Sequence, residues 1–137
     1  MTALRRELAL FAVGGVLGFA IDGGIAQSLV RLADWNVYSA RVVSFLAAAT
    51  FTWWWSRHQT FADRESGRDQ RSEWLHWMGL MLVGAAINNG TYVLAIYLFP
   101  VLHAWPIVAV AAGSVAGAAA NFVLARALLF NAPKTEV

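Results

Sequence analysis

The sequence predicts an all-α integral membrane protein of four transmembrane helices, built as two helical hairpins in parallel repeat with both termini cytoplasmic. Three observations predict it. Of 137 residues, 59% are hydrophobic and 13% charged, with a mean hydropathy of +0.55, whereas a soluble domain of this size carries roughly a quarter charged residues. Four apolar stretches, each long enough to cross about 30 Å of hydrocarbon, alternate with short polar breaks. The second and fourth stretches also end alike, one in Arg57 and Phe61, the other in Arg126 and Phe130, and both pairs are 69 positions apart.

The elements follow in order. Residues 1–7 are a short polar lead with Arg5, Arg6 and Glu7. Leu8 to Leu32 is apolar apart from Asp22, Gln27, Ser28 and Arg31, about 25 residues and enough for a tilted span. An apolar core of that length with a central Asp argues against a cleaved signal peptide. Ala33 to Ser39 reads as an interfacial turn. Ala40 to Ser56 is the second span, closed by Trp53, Trp54 and Trp55 where an aromatic belt sits. Arg57 to Glu73 is the one markedly hydrophilic segment and reads as a solvated loop with at most one helical turn. Trp74 and Trp77 open the third span, which Pro100 ends because proline cannot continue a helical ladder. Val101 to Trp105 is a short turn, Pro106 suits the first turn of the fourth helix, and that span runs to about Leu128. Asn131 to Val137 is a polar tail. The chain is then one membrane domain, residues 1–137, with repeat one at about 8–61, a cytoplasmic loop at 62–73 and repeat two at about 74–130.

Orientation follows from lysine and arginine. With the termini on one side, that side holds Arg5, Arg6, Arg57, Arg64, Arg68, Arg71, Arg126 and Lys134, against Arg31 and Arg41 on the other. The excess places both termini in the cytoplasm. The odd-numbered spans match as well: Gly18, Asp22 and Gly24 shift by 66 onto Gly84, Asn88 and Gly90, while Ser44, Ala48 and Thr52 shift by 69 onto Gly113, Gly117 and Asn121. Two spans per unit give both units the same orientation, hence a parallel repeat about an axis along the membrane normal.

Several function classes drop out. No cysteine is present, which removes disulfides and thiolate metal sites. The net charge is +2, and the pI near 9.5 reflects a few basic residues at a membrane surface, not a nucleic-acid footprint. His58, His76 and His103 lie far apart, and no nucleophile elbow, phosphate loop or carboxylate pair is present, so nothing points to an enzyme, a metal or a cofactor.

Candidate binding residues are the polar groups within or closing the spans. Small residues at four-residue spacing lead to Asp22 (Gly14, Gly18) and to Asn121 (Gly113, Gly117), a pattern that lets helix backbones approach closely. Asp22 is the one acid inside a span, and a carboxylate there needs a partner, water or a proton. It lies 14 residues, about 21 Å, beyond Leu8, and Arg41 lies 16 residues, about 24 Å, from Arg57 at the helical rise. At such similar depths the two can pair, either as a clamp between the first two helices or as part of a headgroup or proton site. The second repeat has Asn88 and Val110 there, so any such site is asymmetric. Of Asn88 and Asn89, one is expected to bond across helices and the other to line a cavity. Arg57 and Arg126, at equivalent ends, either snorkel to headgroups or bind phosphate through their guanidinium forks.

These residues also carry a resemblance. Phe11-Ala12-Val13-Gly14-Gly15 leading to Asp22, Arg57-His58-Gln59-Thr60-Phe61, and Asn121-Phe122 running through Arg126 to Phe130 are similar to the GtrA-like family of small membrane proteins, over about residues 9–131. The second span has Thr52-Trp53 where the family's pattern has Asn-Phe. The resemblance implies a multi-pass protein of the bacterial inner membrane that flips a polyprenyl-phosphate-linked sugar for cell-surface polysaccharide synthesis, beside a membrane glycosyltransferase. On that reading Arg57 and Arg126 capture the phosphate, while Asp22, Arg41, Asn88 and Asn121 line the path of the sugar-phosphate and the polyprenyl tail stays among membrane lipids. Four short helices enclose little volume, so a groove open to lipid or a homodimer interface is expected. Two alternatives stand: an anchor for the glycosyltransferase that docks through Asp63 to Glu73, and a proton-coupled exporter of the small multidrug resistance type, which the charge asymmetry disfavours.

Overall fold

The computed structural model describes residues 2–135 as four long helices, α1 (Ala3–Ala33), α2 (Val37–Trp55), α3 (Gln70–Leu98) and α4 (Pro106–Leu124). By length and composition α1, α3 and α4 with its continuation to Leu129 can each cross a membrane, and α2 is a fourth long helix. Arg41, the hydroxyls and the tryptophans dilute the apolar character of α2. Large apolar side chains face outward all round, among them Phe19, Tyr97, Ile107 and Val115. Such a surface suits lipid, and the molecule is a membrane protein.

Local chemistry fixes the helix ends. The Thr2 hydroxyl accepts from the Arg5 amide at the start of α1, and Asp34 ends that helix in the left-handed region at φ 56°. The Asn36 carboxamide accepts from the amides of Tyr38 and Ser39 at 3.0 and 2.8 Å, which starts α2 within three residues of the end of α1. Pro100 opens a single 3-10 turn, Pro100–His103, and Pro106 stands in the first turn of α4.

The opposite end, where the start of α1, the connection before α3 and the C-terminal tail meet, differs from the expected solvated loop. The lead before Leu8 is already helical. Beyond Trp55, α2 continues as a π-helical turn, Ser56–Thr60, and α4 continues likewise as Ala125–Leu129. The two turns are 69 residues apart and close identically, Phe61 N–H on Ser56 O and Phe130 N–H on Ala125 O, each at 2.8 Å. Arg64–Glu65 (β1) pairs antiparallel with Ala132–Pro133 (β2), placing Arg64 opposite Pro133, again 69 positions apart. Backbone amides shielded from water must find partners, and here the connection and the tail supply each other's. α3 starts at Gln70, so Glu73, expected in solvent, is buried.

α1 packs mainly on α2 and α3 on α4. The two hairpins meet at the loop end, in a core of Phe61, Trp77, Phe122, Ala125, Leu129 and Phe130. The rings of Phe61 and Phe130 stack there at 5.1 Å and 20°.

Candidate functional site

A groove of about 350 Å³ runs between the hairpins and takes lining residues from all four helices. Asp22, Arg41, Asn88 and Asn121 all line it. Arg57 instead borders a second cavity of about 280 Å³ at the loop end, and Arg126 borders neither.

Small residues create the space that these polar groups use. The Asn121 amide rests against Gly84, where a Cβ would overlap it. Asn88 packs on Gly113, where a Cβ would stand 2.5 Å from the Asn88 carbonyl oxygen. The Thr52 methyl occupies the matching place on Gly18 in the first hairpin. The glycines therefore set how closely α3 and α4 cross, and so how far the two amides reach into the groove.

Toward the other end of the groove, the depth match between Asp22 and Arg41 is realised as an ion pair, with Arg41 Nη1 donating to both carboxylate oxygens. The Asp22 side chain is 20% exposed and that of Arg41 61%, so the pair forms the rim of the groove, not its floor. Asn89 does not bond across helices. Its Nδ2 donates to Ala85 O of its own helix at 2.9 Å, and Asn88 is the amide that lines the groove. Deeper toward the loop end, Trp77 Nε1 and Asn121 Oδ1 are buried without a protein partner among the described residues, and groups so placed call for bound water, a ligand or another such account.

Arg57 and Arg126 are not free at the surface. Arg57 Nη1 lies 3.2 Å from Glu73 Oε1, and Arg126 Nε donates to Glu7 Oε2 at 2.6 Å. Each arginine thus crosses to the glutamate of the other hairpin. Arg64 Nε adds a second donor to Glu7 at 2.9 Å. Trp53 Nε1 and the Ser66 hydroxyl complete Glu73 at 3.0 and 2.5 Å. Arg57 also lies over the Trp53 ring, 6.0 Å from its centre. Glu7 and Glu73 are only 6% and 3% exposed, and charges so buried persist because they are paired and hydrogen-bonded. Glu7 precedes the apolar stretch from Leu8. Burial pushes its carboxyl up, but hydrogen bonds from Arg126 and Arg64, with their charges, outweigh that and hold it below the usual 4.5.

Neither glutamate stands out in the sequence, Glu7 in the polar lead and Glu73 at the end of the hydrophilic segment. One signal does carry them. They are 66 positions apart, the spacing that relates Gly18 to Gly84.

Chemically, the groove offers a short polar line within apolar walls, at the lower end of the volume range of small-molecule sites. A family model described as the GtrA/DPMS transmembrane domain matches residues 10–135. Among curated proteins and solved structures no match was found.

Proposed function

Because the chain belongs to the GtrA/DPMS transmembrane-domain family, we propose that it carries a polyprenyl-phosphate-linked sugar from the cytoplasmic to the outer leaflet of a bacterial inner membrane, for cell-surface polysaccharide synthesis. The protein acts as a carrier and makes or breaks no bond. The observation that carries the reading is the groove between the hairpins, with Asp22 and Arg41 at its rim and Asn88 and Asn121 within. Polar groups at membrane depth are costly unless they serve a path or a partner. This line suits the hydroxyls and charge of a sugar-phosphate, while the prenyl tail lies along the exposed apolar faces.

In this proposal the two hairpins are a parallel repeat, which the matching π-helical turns and the stacking of Phe61 on Phe130 support. Both termini and the loop end face the cytoplasm, in keeping with the basic residues clustered there. Arg57 and Arg126 receive the phosphate at that face. A membrane glycosyltransferase supplies the lipid-linked sugar. The segment Arg68 to Arg71 is exposed and available to such an enzyme, whereas Glu73 is committed to internal contacts. The test is reconstitution into liposomes with a labelled lipid-linked sugar. Leaflet exchange should rise above that of empty liposomes and fall with Asp22→Asn or Arg41→Gln. Unchanged exchange with folded protein sinks the proposal.

A further inference from the structure

The groove is closed at one end only. Arg41 stands open at its rim, whereas toward the loop end Ser56 lines the groove yet is 2% exposed. What closes that end is the Phe61–Phe130 stack with Trp77 beneath it, the β1–β2 pairing and the crossed ion pairs. The helices pack chiefly within each hairpin, so these ties hold one hairpin to the other. A headgroup that enters from the loop end must part them.

We propose that the two crossed ion pairs are the gate of the groove, and that a phosphate group opens it by taking Arg57 and Arg126 from Glu73 and Glu7. The proposal rests on the substrate class and orientation given above. A guanidinium fork donates to carboxylate and to phosphate by the same geometry, so each glutamate is a resident competitor for the ligand's anion. Charge favours the exchange most at Glu7, where two guanidinium groups, Arg64 and Arg126, face one carboxylate and leave one positive charge uncompensated. The second cavity gives an approach to Arg57 and to Arg64, the other partner of Glu7, and its lining sets four basic side chains, with Arg68 and Lys134, against Glu65 and Glu73. At the same end, Thr60 Oγ1 and Trp77 Nε1 are buried without partners among the described residues. Opening lets them bond to water or ligand, which offsets part of the cost of breaking the ties.

The chain has no cysteine, so Ser56→Cys introduces a single thiol at the closed end of the groove. Its labelling by a charged maleimide is measured in nanodiscs of phosphatidylethanolamine and phosphatidylglycerol. The discs hold either a polyprenol or the same polyprenyl phosphate, and a further arm adds inorganic phosphate alone. Labelling should be slow with the polyprenol and at least about tenfold faster with the polyprenyl phosphate, the factor that about 1.4 kcal/mol of lost latch energy gives. In the Glu7→Gln and Glu73→Gln backgrounds it should already be fast with the polyprenol, at the same phospholipid background as every other arm. Acceleration by the lipid alone supports a lipid headgroup as the trigger, and acceleration by inorganic phosphate supports the same exchange with a soluble source. Equal rates in all arms with folded protein overturn the gate. Should the glutamate variants fail to fold, the ligand arms decide by themselves. Leaflet exchange without any change in labelling overturns the gate alone, whereas gated labelling without leaflet exchange overturns the transport reading and leaves the gate.

Discussion

Replacing Gly113 by alanine tests whether the α3–α4 crossing sets the groove. A Cβ there would lie 2.5 Å from the backbone oxygen of Asn88 and 2.7 Å from its Oδ1. The side chain can rotate away, but the carbonyl belongs to a helix and cannot. Ordinary contact begins at 3.4 Å, so the helices must part by 3.4 minus 2.5, or 0.9 Å. Overpacking of this kind costs about 1–3 kcal/mol, against a helix-propensity gain of up to about 1 kcal/mol for Gly→Ala. The net expectation is a loss of up to about 2 kcal/mol. Gly90→Ala is the control, because nothing lies within 4 Å of a Cβ at that position. It should be neutral or gain up to about 1 kcal/mol from propensity alone. Unfolding in mixed micelles by titration with dodecyl sulfate, followed by tryptophan fluorescence, compares the two. If Gly113→Ala is as stable as Gly90→Ala, the close crossing of α3 on α4 is refuted as the feature that positions Asn88.

The remaining predictions concern the loop end. Thr60 is fully buried and its hydroxyl has no partner among the described residues, so Thr60→Val, similar in shape, should stabilise by about 1 kcal/mol in the same titration; a loss would mean that the hydroxyl is bonded. Arg57→Gln strands the buried Glu73 and should cost about 3–5 kcal/mol, while Arg57→Gln with Glu73→Gln should cost clearly less. Additive losses in that cycle would show that the two residues do not act as a pair. The Glu7 carboxyl is held below its usual 4.5 in the folded protein. Its contribution is therefore complete above that pH and lost as pH falls through the folded value. Stability should drop on acidification below pH 4.5, and Glu7→Gln should flatten that drop; an unchanged slope in the variant would assign it to other carboxylates.

Much of the helical frame was legible because it depends on long apolar runs and on punctuation by Asn36, Pro100 and Pro106. The Asp22–Arg41 pair was legible too, since helical rise alone puts the two at one depth. The loop end was not. Glu7 and Glu73 look like solvated charges until the chain folds back over them, and their burial depends on Arg126 and Arg57 arriving from the other hairpin. A π-helical turn has no composition of its own, so the endings after Trp55 and Leu124 read as ordinary helix ends. Which of Asn88 and Asn89 lines the groove stays open in the sequence, because two adjacent amides project about 100° apart on a helix and nothing in the composition says which of them faces the partner.

The crossing of the arginines has a consequence for how such a chain assembles. Each hairpin carries one acid and one base at its end that pair crosswise with the other hairpin, and only Glu7 has a further partner, Arg64, on its own side of the linker. Alone in a membrane, the second hairpin would hold Glu73 and Arg126 unpaired and the first would hold Arg57 unpaired, each with an unstacked phenylalanine, so each is complete only beside another hairpin. The linker at Ser66–Gly67 therefore raises the local concentration of partners that already fit. Two separate chains, cut there and made together, should find each other, and a lone first half should seek a second copy of itself.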